Sequence, residues 1–73
     1  MMNNKWHTIN DCQPIKNHFY VVVGIMCYAI VTKYDGKYFC YYIDGCKYGV
    51  EPKADMHFVE IPNMPNDWFY EDD

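Results

Sequence analysis

Two Asp-Gly pairs, Asp35-Gly36 and Asp44-Gly45, stand close together inside a stretch otherwise rich in aromatic and β-branched residues. Asp-Gly accepts positive φ at both positions at little strain, which is what a tight two-residue hairpin turn demands. Two such turns, each flanked by strand-forming runs, confine the middle of the chain to an antiparallel meander. Val21, Val22, Val23, Ile25, Ile30 and Val31 supply the β-branched positions, and Tyr and Phe fill most of the rest. The pattern predicts strands near residues 19–24, 27–34, 37–43 and 46–50, with Gly24 marking a turn or bulge within the long apolar run. Pro52 interrupts the meander, residues 56–61 read as one more strand, and Pro62 and Pro65 end pairing.

The expected fold is mainly β: a small antiparallel meander, as a curved sheet or an SH3-like barrel, with at most one short helical turn. Residues 1–73 form a single domain, with an irregular N-terminal segment over 1–16 and an acidic-aromatic tail over 66–73. Asn10-Asp11 offers a cap for one turn, which Pro14 stops, and Trp6 is expected to pack on the sheet. If both Asp-Gly pairs are two-residue loops, Tyr34 opposes Lys37, Thr32 opposes Phe39, Val31 opposes Cys40 and Ile30 opposes Tyr41. In the second hairpin Ile43 then opposes Cys46 and Tyr41 opposes Tyr48. Side chains alternate across a strand, so Phe39, Tyr41, Ile43 and Cys46 share one face while Tyr38, Cys40 and Tyr42 share the other. Both faces are apolar or aromatic, and a chain this short has little left with which to cover the second. Exposed aromatic area of that kind marks contact surfaces.

Composition narrows the function. A chain of 73 residues is one domain that buries only roughly 60–65% of its unfolded surface, leaving little room for a buried catalytic constellation. The net charge is −4 and the six cations are all Lys. Lacking Arg and a basic run, the chain is not expected to contact nucleic acid directly. Leu and Ser are absent while Tyr, Asn, Lys and Ile are plentiful, a bias toward AT-rich codons that suggests a bacteriophage genome. Residues 1–11 are polar apart from Trp6 and Ile9, unlike a secretory leader. The chain is therefore expected in the cytoplasm of a bacterial host cell, with its cysteines as thiols. The apolar run from Phe19 to Val31 spans 13 residues, short of the ~20 that a membrane helix needs, so no membrane contact is expected.

Catalytic, cofactor and metal sites are all read as none. The ligand types are present in Cys12, Cys27, Cys40, Cys46, His7, His18 and His57, but the closest cysteines are six apart and predicted on opposite faces, unlike a zinc knuckle. No Ser nucleophile exists, and no local pattern sets a histidine beside a cysteine. Asp35 and Asp44 are explained by their turns. What remains is contact: the candidate partner-binding residues are Tyr38, Tyr41, Tyr42 and Tyr48 on the meander and Trp68, Phe69, Tyr70, Glu71, Asp72 and Asp73 in the tail. Large aromatics flanked by acids suit a protein target. A second copy of the chain is a further candidate, because an uncovered sheet face or edge can pair with itself.

Trp6, Pro14, the strand Tyr20-Val21-Val22-Val23, the run Tyr34-Asp35-Gly36-Lys37-Tyr38 and the closing His57-Phe58-Val59-Glu60-Ile61-Pro62 occur in an order that resembles the small phage and prophage family known as domain of unknown function 551. Its members open on Trp…Leu-Pro, continue with a Val-Leu-Val strand and close on Thr-His-Trp-x-Pro-Leu-Pro. Here Gln13, Met56, Phe58 and Glu60 replace the family's Leu, Thr, Trp and Pro. The resemblance covers residues 5–62 and implies a mobile-element origin and a compact β domain; it carries no catalytic residue over. The expected function is a phage-encoded accessory protein that binds and modulates or inhibits a bacterial protein, such as a CRISPR-type defence component. A small-ligand or nucleotide-binding β-barrel and a minor virion or assembly protein are the alternatives.

Overall fold

A computed structural model describes residues 5–63, which form one antiparallel sheet of five strands. These are β1 (Phe19–Val23), β2 (Ile30–Tyr34), β3 (Phe39–Ile43), β4 (Cys46–Val50) and β5 (His57–Glu60), in the spatial order β4-β3-β2-β1-β5. Four strands run as the expected meander, and β5 returns to pair with the far side of β1, Tyr20 opposite Glu60 and Val22 opposite Phe58. The sheet is curved and open, so of the two expected shapes the barrel does not form. Among the described residues there is no helix. The N-terminal segment makes one turn, in which the Asp11 and Cys12 amides both donate to the Thr8 carbonyl.

Several boundaries differ from expectation, each for a local reason. β2 begins at Ile30, not at residue 27, because residues 24–28 bend away from the sheet. Gly24 starts that bend with φ +119°, and a Cβ there would lie 3.1 Å from the Met56 Cα. Only glycine fits both the angle and the space. The first hairpin is also shifted. Tyr34 opposes Phe39, not Lys37, and Lys33, not Val31, opposes Cys40. Thr32 and Ile30 accordingly lose their expected partners. The Asp35 amide donates to the Tyr38 carbonyl at 3.0 Å, so Gly36-Lys37, not Asp35-Gly36, forms the loop. The Asp35 carboxylate accepts from the Lys37 and Tyr38 amides at 2.8 and 2.7 Å, which draws Asp35 into the flanking position. The offset is two residues, so every side chain keeps its expected face. The second hairpin follows expectation, with Ile43 opposite Cys46 and Tyr41 opposite Tyr48.

Curvature follows from one set of contacts. In a flat sheet β3 and β5 would lie three strand spacings apart, roughly 14 Å. Yet the rings of Phe39 on β3 and Phe58 on β5 have centroids 5.6 Å apart, and Tyr20 of β1 meets both edge-on at 6.0 and 5.4 Å. The strands must curl for these rings to touch. Thr32, the β2 residue paired with Tyr20, is small and fully buried, and its hydroxyl donates to the Tyr20 carbonyl at 3.1 Å. A larger side chain there would hold the two phenylalanines apart. Tyr20, Val22, Phe39, Met56 and Phe58 thus fill the concave face, with Ile9, Ile25, Tyr34 and Val50 packed around them.

The N-terminal segment closes one rim. His7 exchanges two backbone hydrogen bonds with Phe58, at 2.9 and 2.8 Å, along the outer edge of β5. Pro14 is buried, and the Ile15 amide donates to the Tyr20 hydroxyl at 2.8 Å. Ile9, not Trp6, is the segment's contact with the core cluster; Trp6 leaves 45% of its surface exposed. On the convex face Phe19 and Cys40 are buried with Tyr42 and Ile61 against them, and the Lys33 ammonium lies over the Phe19 ring at 5.7 Å. His18 and Glu60, 42 residues apart, meet at 2.6 Å and tie β1 to β5.

Phe58 is 1% exposed, and truncating such a ring costs about 3–5 kcal/mol. Domains of this size have about 4–11 kcal/mol in total. Phe58→Ala is expected to remove a large share of that stability, seen as a lowered urea midpoint at 25 °C.

Candidate functional site

The β3–β4 hairpin carries the exposed aromatic residues that alternation predicted. Its turn residues Asp44 and Gly45 both have positive φ, 52° and 80°, as a type I′ turn requires. That turn fixes the register and leaves β4 on the outer edge of the sheet, where Cys46, Lys47, Tyr48 and Gly49 are all exposed. On the concave side Tyr41 is buried and the Tyr48 ring stacks on it, centroids 5.5 Å apart and planes within 19°. On the convex side Gly49 lies against Tyr38. A Cβ at Gly49 would stand 3.3 Å from the Tyr38 Cβ and 4.0 Å from the Cys40 sulfur. The missing side chain leaves an open groove of about 350 Å³ lined by Asp35, Tyr38, Cys40, Lys47, Tyr48 and Gly49.

The electrostatics of the groove centre on Asp35. The Tyr38 amide first, and then the Lys37 amide, hold its carboxyl below the usual carboxylate range, with smaller help from Cys40 and Lys47. The Cys40 sulfur has two acceptors in reach of its one proton, the second carboxylate oxygen at 3.5 Å and the Tyr38 carbonyl at 3.8 Å. His57 projects from the convex face of β5, three strands from β3, where curvature spreads the strands apart. Lys37 caps the turn from above, its ammonium 5.3 Å from the Tyr38 ring centre. Lys47 supplies an exposed positive charge on β4.

Of the residues singled out from sequence, Tyr38 and Tyr48 are exposed at the hairpin, on opposite faces, while Tyr42 is half-buried against the Phe19–Cys40 cluster. Tyr41 is 6% exposed and serves as the seat for Tyr48, so it offers a partner little surface. Trp68, Phe69, Tyr70, Glu71, Asp72 and Asp73 lie outside the described residues. The contributions of Asp35, Lys47 and Gly49 were not anticipated. The signal for Gly49 was available: a glycine inside a strand pattern marks a place where something approaches the backbone closely. Among the described residues, no three His, Cys, Asp or Glu side chains converge as metal ligands would, and no helix is long and apolar enough to cross a membrane. The chain matches no family model, no curated protein and no solved structure.

Two measurements check this geometry. Cys12, Cys27 and Cys46 are exposed and Cys40 is buried, so a thiol reagent is expected to modify three cysteines quickly and Cys40 only on unfolding, as peptide mapping by mass spectrometry would resolve. Asp35 titrates lower folded than unfolded, so its contribution to stability is complete above about pH 4 and is lost as pH falls through the lower folded-state value. Asp35→Asn is expected to flatten that acid limb in urea midpoints compared between neutral and acid pH.

Proposed function

We propose that this chain is a phage-encoded accessory protein that binds a bacterial host protein and modulates or blocks it, a CRISPR-type defence component being one class of target. The observation that carries the reading is the exposed hairpin at the sheet edge, where Tyr38 and Lys47 flank an open groove on one face and the Tyr48 ring stands exposed on the other. Tyrosine offers large contact area for few rotatable bonds and is enriched where binding energy concentrates. The motif resemblance and the bias toward residues with AT-rich codons support the phage setting. The groove's carboxylate accepts from the Lys37 and Tyr38 amides and lies beside the Cys40 thiol.

A small-ligand reading draws on the same groove, whose volume of about 350 Å³ is at the lower end for small-molecule sites. Because the sheet is open, such a ligand would sit on the hairpin surface. Pull-downs from host lysate with the wild-type chain and with Tyr38→Ala/Tyr48→Ala separate the readings. The expected result is a specific host protein retained by the wild type and lost by the double variant, with a matching change in phage growth. Equal retention by both, or no retention, would sink the proposal. A rise in melting temperature with a nucleotide or metabolite panel, in the absence of a protein partner, would favour the small ligand.

A further inference from the structure

The two edges of the sheet are treated differently. The outer edge of β5 is covered by the His7 backbone. Among the described strands β4 has one neighbour, β3, and its other side faces outward. In a two-residue hairpin the closing pair exchanges both backbone hydrogen bonds, and such pairs recur at every second residue. The pairs Ile43–Cys46, Tyr41–Tyr48 and Phe39–Val50 are of this kind, so Cys46, Tyr48 and Val50 spend their backbone groups on β3. Lys47 and Gly49 present theirs outward, and the same alternation continued past the end of β4 at Val50 would turn those of Glu51 the same way.

We infer that β4 pairs antiparallel with β4 of a second copy of this chain, around a twofold axis at Gly49. The charges on the edge select both the occupant and the register. With the axis at Gly49, the two glycines exchange hydrogen bonds, and Lys47 lies directly across from the partner's Glu51, twice by symmetry. Tyr48 comes opposite the partner's Val50, an aromatic and β-branched cross-strand pair of the stabilising kind. Cys46 comes opposite the partner's Pro52, a position that needs no amide donor, so the missing N–H of proline is harmless. Moving the axis one residue toward Tyr48 sets Lys47 against glycine; moving it one residue toward Val50 sets Lys47 against the partner's Lys53. One register alone pairs the charges. Gly49 suits the axis further, because its missing side chain leaves the convex side there to Tyr38 and the Cys40 sulfur. The pairing joins two sheets edge to edge and leaves both faces of each hairpin, with Tyr38 on one and Tyr48 on the other, open to a host protein. It does not depend on the proposed function.

A pair of seven-residue segments, β4 with Glu51 and Pro52 beyond its end, is a small interface, so association is concentration-dependent. Sedimentation equilibrium of the full chain, from low to high micromolar concentration, is expected to show the mass rising from 8.8 kDa toward twice that value. Lys47→Glu and Glu51→Lys should each weaken association by about tenfold or more, by facing like charges across the pair. The double exchange Lys47→Glu/Glu51→Lys should restore it. Hydrogen exchange at the Lys47 and Gly49 amides should slow as concentration rises. A monomeric mass at every concentration, an unaltered association constant in the single variants, or a double exchange that fails to restore it would each overturn the assignment. Monomeric behaviour together with host-protein capture that Lys47→Glu destroys would instead give the edge to a strand of another protein. Circular dichroism confirms that the variants remain folded, since both positions are exposed.

Discussion

The contact between Phe39 and Phe58 sets the shape of the molecule. These rings belong to strands separated by two others, and they touch only because the sheet curls around them. Tyr20 joins the pair from the strand between, and Thr32 yields the space by being small. The core of this chain is therefore a ring cluster held in a concave sheet, with no second layer of secondary structure above it among the described residues. Short irregular segments complete it: Ile9 and Pro14 from one side, Ile25 from the bend after β1, and Met56 before β5. The N-terminal segment is held at two points, the Ile15 amide on the Tyr20 hydroxyl and the His7 backbone on that of Phe58.

The same curvature divides the two faces. The concave side spends its aromatics on the core, and Tyr41 goes with them, leaving Tyr48 as the exposed ring above it. The convex side keeps a thinner cluster around Phe19 and Cys40 and exposes Tyr38 at the hairpin rim. Strands at the far end from β5 have fewer neighbours, and β4 is exposed along nearly its whole length. Surface chemistry thus collects at the end of the sheet that the core does not reach.

Local signals carried most of what could be read in advance. Asp44-Gly45 specified its turn and register because both residues take positive φ there. Asp35-Gly36 marked a turn at the right place, but the aspartate's side-chain hydrogen bonds moved it out of the loop, a competition between side chain and backbone that dipeptide identity does not encode. The faces survived because the error was an even number of residues. The pairing of β5 with β1 had no local marker, since it depends on where a distant segment finds apolar cover. The burial of Tyr41 was hidden for a related reason: alternation assigns a residue to a face, while curvature decides how much of that face reaches water. Trp6 looked like the natural anchor of the N-terminal segment by size, yet the backbone pairing at His7 turns Ile9 inward instead.

The β1–β5 ladder has a consequence in time. Its ends are joined by the His18–Glu60 contact across 42 residues, whereas β3 and β4 meet across a two-residue turn. Closing a long loop must precede any reward from the contacts it brings together, so non-local pairings form late and slow the whole reaction. The hairpin that bears Tyr38 and Tyr48 can assemble early, from neighbouring residues alone. By sequence separation Phe58 is expected to join after the hairpin, and with it the ring cluster that makes the sheet curl. Until then one side of β1 remains an open strand edge with valines on it, and the slowest step of folding is also the one during which the chain is most prone to join another.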